Sequence, residues 1–205
     1  KANLSLRTAL KILKPIYSFR ANNENALYKG ISGVNWSKYL NANQTFVIDA
    51  TVHSEYFNHS EFVSQKCKDA IVDQFRERTG QRPSIEKIHP DLRINIHIDK
   101  DQVSVALDTS GNSLHQRGYR LATNIAPINE VLAAGILLLS GWEGQGDFLD
   151  PMCGSGTFLA EAAMIACNIP DNINRKEFAF EKWKDWDNDL FDQIMDSLLK
   201  KVKEF

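Results

Sequence analysis

Residues 146–163 read Gly-Asp-Phe-Leu-Asp-Pro-Met-Cys-Gly-Ser-Gly-Thr-Phe-Leu-Ala-Glu-Ala-Ala. A short apolar run ends in Asp150, a glycine-rich turn follows, and small and apolar residues then recur at helical spacing from Thr157 to Cys167. This pattern predicts a strand, a tight loop and a helix. Gly154 and Gly156 let the backbone turn sharply and approach a ligand closely, and the free amides that open the helix face the same space. Such a loop is suited to holding a cofactor.

What the loop lacks narrows the choice. A phosphate-binding loop ends in Gly-Lys-Ser/Thr, whereas Gly156 is followed by Thr157 and Phe158, so no lysine reaches a phosphate and ATP is disfavoured. A nucleophile elbow needs glycines two residues either side of Ser155, where Cys153 and Thr157 stand. The dinucleotide fingerprint needs a third glycine where Leu159 stands. Asp150 to Thr157 instead resembles the first cofactor motif of S-adenosylmethionine-dependent methyltransferases, in the form typical of those that methylate an exocyclic base nitrogen. The resemblance implies S-adenosylmethionine as cofactor, lined by Asp150, Pro151, Met152, Cys153, Gly154, Ser155, Gly156 and Thr157. Asp150 would point toward the amino-acid end of the ligand, and Glu130 would add a contact from the preceding helix. Asp150 bonding the amides of its own loop is an alternative compatible with the first.

The chain has 205 residues, 43% of them hydrophobic, and a net charge of −2. That is enough for one large or two small globular domains, and it excludes a disordered or fibrous chain. Cys67, Cys153 and Cys167 form no Cys-x-x-Cys and do not suit a disulfide framework, so a reducing cytoplasm is expected. No apolar stretch is long enough to span a bilayer and no signal-peptide pattern opens the chain. The five histidines form no ligand spacing with each other or with cysteine, so no metal is expected. The chain starts at Lys1 without a methionine and stops soon after the loop, which predicts a piece of a longer protein. Seven of the Lys and Arg residues fall within residues 1–40, against one acid. They are either a phosphate-contacting surface or the solvated sides of a helix and strand.

In chain order, a short helix or helix-plus-strand is expected before Pro15, and residues 16–19 alternate like a strand. A helical stretch over 25–34 follows, and Trp36, Tyr39 and Leu40 look like core anchors rather than base-stacking platforms. Residues 45–50 have strand composition. Val63, Cys67, Ala70, Ile71 and Phe75 share one helical face, with Asn58 or Ser60 as candidate caps and Gly80 as the stop. Lys66 and Lys68 lie off that face, where they suit RNA phosphates or plain water. Leu92 to Ile98 alternates strictly, as do Val103, Val105 and Leu107, which predicts two antiparallel strands. Pro127 suits the first turn of a helix whose buried side would be Ile128, Val131, Leu132, Gly135, Ile136 and Leu139, ending at Ser140 and Gly141. Phe178, Phe180, Trp183 and Trp186 would cover a sheet edge, and an amphipathic helix is expected over 189–202.

The runs at 64–73, 90–96 and 107–111 resemble the THUMP domain of bacterial ribosomal RNA methyltransferases, a module that binds RNA. Arg117-Gly118-Tyr119-Arg120, the Ala-Pro-Ile-Asn-Glu of residues 126–130 and the cofactor loop follow in the same order in the RlmL-like large-subunit ribosomal RNA guanine-N2 methyltransferase family, also labelled adenine-specific DNA methylases. The resemblance covers nearly the whole chain. It implies an α+β THUMP-like module over 1–110, lacking an earlier ferredoxin-like part, a linker over 111–126, and the beginning of an α/β Rossmann-like methyltransferase domain, truncated, over 127–205. The implied function is methylation of guanine N2 in large-subunit (23S) ribosomal RNA, with ribosomal RNA as partner, no membrane, and a monomer favoured. Adenine-N6 methylation of DNA and a non-catalytic RNA-binding module are the alternatives. Arg117, Tyr119 and Arg120 offer two cations and a stacking face to RNA, along with Lys66 and Lys68; a linker held by salt bridges is the equal alternative. In the family an Asn-Pro-Pro-Tyr holds the target amine. No two prolines here are adjacent, so that motif is expected beyond Phe205 and this chain should be inactive alone.

Overall fold

The structure is a computed structural model that describes residues 1–120 and 127–203. Residues 121–126, which hold the end of the expected linker and the start of the Ala-Pro-Ile-Asn-Glu run, lie outside the described residues. In chain order the elements are helix α1 (Ala2–Ser5), strand β1 (Leu13–Arg20), helix α2 (Glu24–Ser32), strand β2 (Thr45–His53), helix α3 (Ser60–Thr79), and strands β3 (Ser84–Ile85), β4 (Leu92–Asp99) and β5 (Gln102–Asp108). Helices α4 (Glu130–Leu139), α5 (Thr157–Ala166) and α6 (Asn188–Leu199) follow.

The chain divides into two compact units, one of Leu13–Gly111 with Ala179–Trp186, the other of Lys1–Ile12, Asn112–Phe178 and Asp187–Phe205. These limits cross the boundaries expected from sequence at both ends. Lys1–Ile12 belongs with the cofactor loop, and the aromatic segment Ala179–Trp186 belongs with the sheet.

The first unit is an α+β layer. Its sheet runs β1-β5-β4-β2-β3, with β1–β5 and β4–β5 antiparallel and β2 parallel to both β3 and β4. Strict alternation in β4 puts Ile94, Ile96 and Ile98 on one face, and Val103, Val105 and Leu107 of β5 join them; all are essentially unexposed. They pack with Leu27 and Ile31 of α2 and with Val63, Cys67, Ala70, Ile71 and Phe75 of α3. Each buried Val, Leu, Ile or Phe among them contributes roughly 1.5–3 kcal/mol relative to exposure. Trp36 is fully buried and donates from Nε1 to the Ile31 carbonyl at 2.9 Å, while its amide goes to Gln74 Oε1 at 3.0 Å. Gln74 Nε2 in turn donates to the carbonyls of Ser32 and Val34, so the loop after α2 has its polar groups matched inside the core.

Two local expectations change. Helix α3 begins after His59 without a side-chain cap, so neither Asn58 nor Ser60 caps it, although Gly80 ends it at φ 69° as expected. Pro15 does not break the chain; it sits inside the edge strand β1, where the register shifts between Pro15 and Tyr17 and no ladder amide is required of it.

The second unit, among the described residues, is helical. Residues 148–150 form no strand, and Leu149 is 85% exposed. A strand exists only beside a hydrogen-bonding partner, and none of the described residues supplies one there. Helix α4 presents a different side from the expected one. It buries Glu130, Ala133, Ala134 and Leu137 and leaves Leu132, Ile136 and Leu139 exposed. Its sequence is apolar nearly all round, so periodicity does not select a face. Asn129 caps it by accepting the amides of Val131 and Leu132, which puts Pro127 before the first turn rather than in it.

Candidate functional site

The loop from Asp150 to Thr157 closes on its own backbone. Asp150 Oδ1 accepts the Met152 amide at 3.1 Å, and the Gly156 amide donates to the Cys153 carbonyl at 2.8 Å. The capping role for Asp150 is thus realised with one of its two oxygens. Gly154 and Gly156 take φ of 55° and 73°, and a Cβ built on either would meet no protein atom within 4 Å. Left-handed backbone and open space together are what a ligand-cradling turn requires. Helix α5 begins at Gly156 without a side-chain cap, so its first amides face that space unclaimed by side chains.

Thr157, the first residue of α5, is only 2% exposed. Its Oγ1 accepts from Arg120 Nη2 at 2.9 Å and lies 3.3 Å from Ser155 Oγ. Arg120 also donates to the Ile128 carbonyl at 2.8 Å and pairs through Nε with Glu130 at 2.8 Å. One oxygen of the Glu130 carboxylate is therefore engaged by Arg120.

Behind the loop lies a buried ionic cluster that sequence patterns did not reveal. Arg117 and Glu161 have no exposed side-chain surface and pair at 3.4 Å, while Arg117 Nη1 faces Asp171 Oδ2 at 3.6 Å. Arg117 Nη2 donates to the Arg7 carbonyl at 2.6 Å, Tyr119 donates its hydroxyl to Glu161 at 3.0 Å, and Arg7 pairs with Asp171. Burial pushes the Asp171 carboxyl up to about 6, with Arg7 and Arg117 pulling the other way. Glu161 is also raised by burial against the same two arginines, and Tyr119 is raised by burial and by the Glu161 charge. One signal was available: Glu161 is a lone acid within the apolar run Thr-Phe-Leu-Ala-Glu-Ala-Ala-Met-Ile-Ala, and a buried charge needs a partner.

This geometry sets Arg117 apart among the expected RNA contacts at 117–120. A guanidinium with no exposed surface does not reach a phosphate, so Arg117 is structural. Tyr119 is half-buried with its hydroxyl held by Glu161, and Arg120 is paired to Glu130. Lys66 and Lys68 remain at the surface of the first unit, paired with Glu24 at 3.3 Å and Asp69 at 2.9 Å. Exposed pairs of this kind are weak and leave both cations able to meet phosphate. Lys68 also lines a groove of about 500 Å³ with Gln65, Lys87, Arg93 and Asp49. Lys87 and Arg93 were not singled out by sequence, because a lone cation in a loop or in an alternating strand has no distinguishing local pattern. Among the described residues no group of three His, Cys, Asp or Glu is placed to hold a metal, and no helix is long and apolar enough to cross a membrane.

Two family models match the chain. The THUMP domain covers residues 21–108, and the RMKL-like methyltransferase domain covers residues 117–204. The chain carries a THUMP domain followed by an RMKL-like methyltransferase domain. Its methyltransferase domain holds the glycine loop and its THUMP domain holds the sheet. A curated relative, the "Ribosomal RNA large subunit methyltransferase K/L" of Marinomonas sp. (strain MWYL1), is 39% identical over 207 residues, which is 100% of this chain and 29% of the relative. Among solved structures, a "predicted N6-adenine-specific DNA methylase" from Listeria monocytogenes str. 4b F2365 matches with TM-score 0.86 at 31% identity, over 98% of this chain and 53% of that one. A structure of SMU.472 complexed with SAH matches with TM-score 0.83 at 34% identity, again over 98% of this chain and 53% of that one. The chain thus spans under a third of the curated relative's length.

Proposed function

We propose that this chain supplies the THUMP domain and the cofactor floor of an S-adenosylmethionine-dependent methyltransferase acting on guanine N2 of large-subunit ribosomal RNA. The observation that carries the cofactor assignment is the pair of left-handed glycines opening onto free space beside the uncapped start of α5. The residues fit the ligand. The Gly154 to Thr157 backbone would line it, and the second oxygen of Asp150 is available to its ammonium group. Glu130 acts at one remove, through Arg120. Bound S-adenosylmethionine supplies an electrophilic methyl group.

An exocyclic amine is a poor nucleophile because its lone pair is shared with the ring, so catalysis rests mainly on alignment. The loop fixes one half of that alignment by holding the cofactor against rigid backbone. The RNA half is assigned to the THUMP domain, with Lys66, Lys68 and Lys87 as phosphate contacts. Ribosomal RNA as substrate and three free cysteines fit a cytoplasmic protein. Methylation of adenine N6 in DNA is the second reading, favoured by what the Listeria relative is called, and the THUMP match weighs against it.

The test uses the protein of the complete reading frame, S-adenosylmethionine carrying a labelled methyl group, unmodified 23S ribosomal RNA and double-stranded DNA. Digestion to nucleosides is expected to place the label in N2-methylguanosine from RNA. Label in N6-methyladenosine from DNA would establish the second reading, and RNA binding without transfer would establish a non-catalytic module.

A further inference from the structure

Arg120 touches both openings that frame the loop. Its Nε binds Glu130 at the start of α4, and its Nη2 binds Thr157 at the start of α5 and the Ile128 carbonyl beside Glu130. Glu130 and Thr157 are 5% and 2% exposed, so both partners are shielded from water that would otherwise compete. Guanidinium has only donors, so Thr157 Oγ1 accepts from Arg120 at 2.9 Å. Thr157 Oγ1 also lies 3.3 Å from Ser155 Oγ, a hydrogen bond in which either hydroxyl can be the donor.

We propose that Arg120 is a positioning residue for cofactor binding, locking Thr157 and, through it, Ser155, so that the Gly154–Thr157 backbone is held open. The proposal rests on the assignment of S-adenosylmethionine to this loop. It differs from a packing role in predicting that the link passes through one hydroxyl. A charge-assisted hydrogen bond is strong, and its loss from a preorganised site lowers ligand affinity without removing any ligand contact.

A double-mutant cycle in the protein of the complete reading frame, read by calorimetric titration with S-adenosylmethionine, tests it. Arg120→Ala and Thr157→Val are each expected to weaken binding about tenfold, and the double variant no more than Arg120→Ala alone, because both break the same Arg120–Thr157 link. Thr157→Ser keeps the hydroxyl and should bind within about twofold of the parent, a rescue that a packing role for the threonine methyl would not give. Unchanged affinity in Thr157→Val, or losses that multiply in the double variant, would overturn the proposal while the parent still binds. A parent that binds no S-adenosylmethionine would overturn the functional reading and this inference with it.

Discussion

Asp171 has no exposed side-chain surface and lies between Arg7 and Arg117, with Glu161 close by. Its carboxyl titrates at about 6 in the folded protein, against about 3.9 for an unperturbed aspartate. The folded state therefore holds a proton that the unfolded state releases between those values. Stability associated with this proton is complete below about pH 4 and is lost as pH rises through about 6. The melting temperature of the parent, measured relative to Asp171→Asn, is expected to fall across that window and then level off. A difference that grows with pH would mean that the two arginines, rather than burial, set the charge of this carboxyl. At this scale the sequence spoke clearly where chemistry is local. Gly154 and Gly156 announced a left-handed turn because glycine alone adopts it freely, and the structure places both there. Arg117 misled because its partners, Glu161 and Asp171, lie more than forty positions away, and nothing in Arg-Gly-Tyr-Arg distinguishes an inward guanidinium from an outward one.

Helix α3 buries Cys67 completely, and burial pushes its thiol up to about 12, whereas Cys153 stands exposed in the glycine loop. Thiolate is the reactive species, so alkylation with iodoacetamide at pH 8 should modify Cys153 first and Cys67 about a thousandfold more slowly, until denaturant releases α3. S-adenosylmethionine should slow the labelling of Cys153. Peptide mapping by mass spectrometry reads both effects, and equal rates at the two cysteines in the native protein would contradict the placement of α3. Elements with a one-sided pattern were legible in advance: α3, β4 and β5 each carry a single apolar face, and that face is the buried one. Helix α4 was legible as a helix but not in its orientation, because Leu132, Ile136 and Leu139 look as suitable for a core as Ala133, Ala134 and Leu137. The expected strand at 148–150 is a property of pairing, and pairing is not written in a tripeptide.

The two units do not follow one another along the chain. Lys1–Ile12 belongs with the methyltransferase domain, where Asn172 donates to the carbonyls of Asn3 and Leu4. Ala179–Trp186 returns to the sheet unit, where the Phe180 amide reaches the Thr109 carbonyl and Lys14 lies over the Trp183 ring. Each unit is thus completed by a segment from a distant part of the chain, a topology that composition along the chain does not encode. The central claim for the molecule remains that the loop after Asp150 holds S-adenosylmethionine. Calorimetric titration of the protein of the complete reading frame against its Gly154→Val variant tests this most directly, because a β-branched residue opposes the left-handed backbone and fills the open space beside it. The parent is expected to bind S-adenosylmethionine and Gly154→Val to lose that binding while retaining a cooperative melt; undiminished affinity in Gly154→Val would contradict the claim.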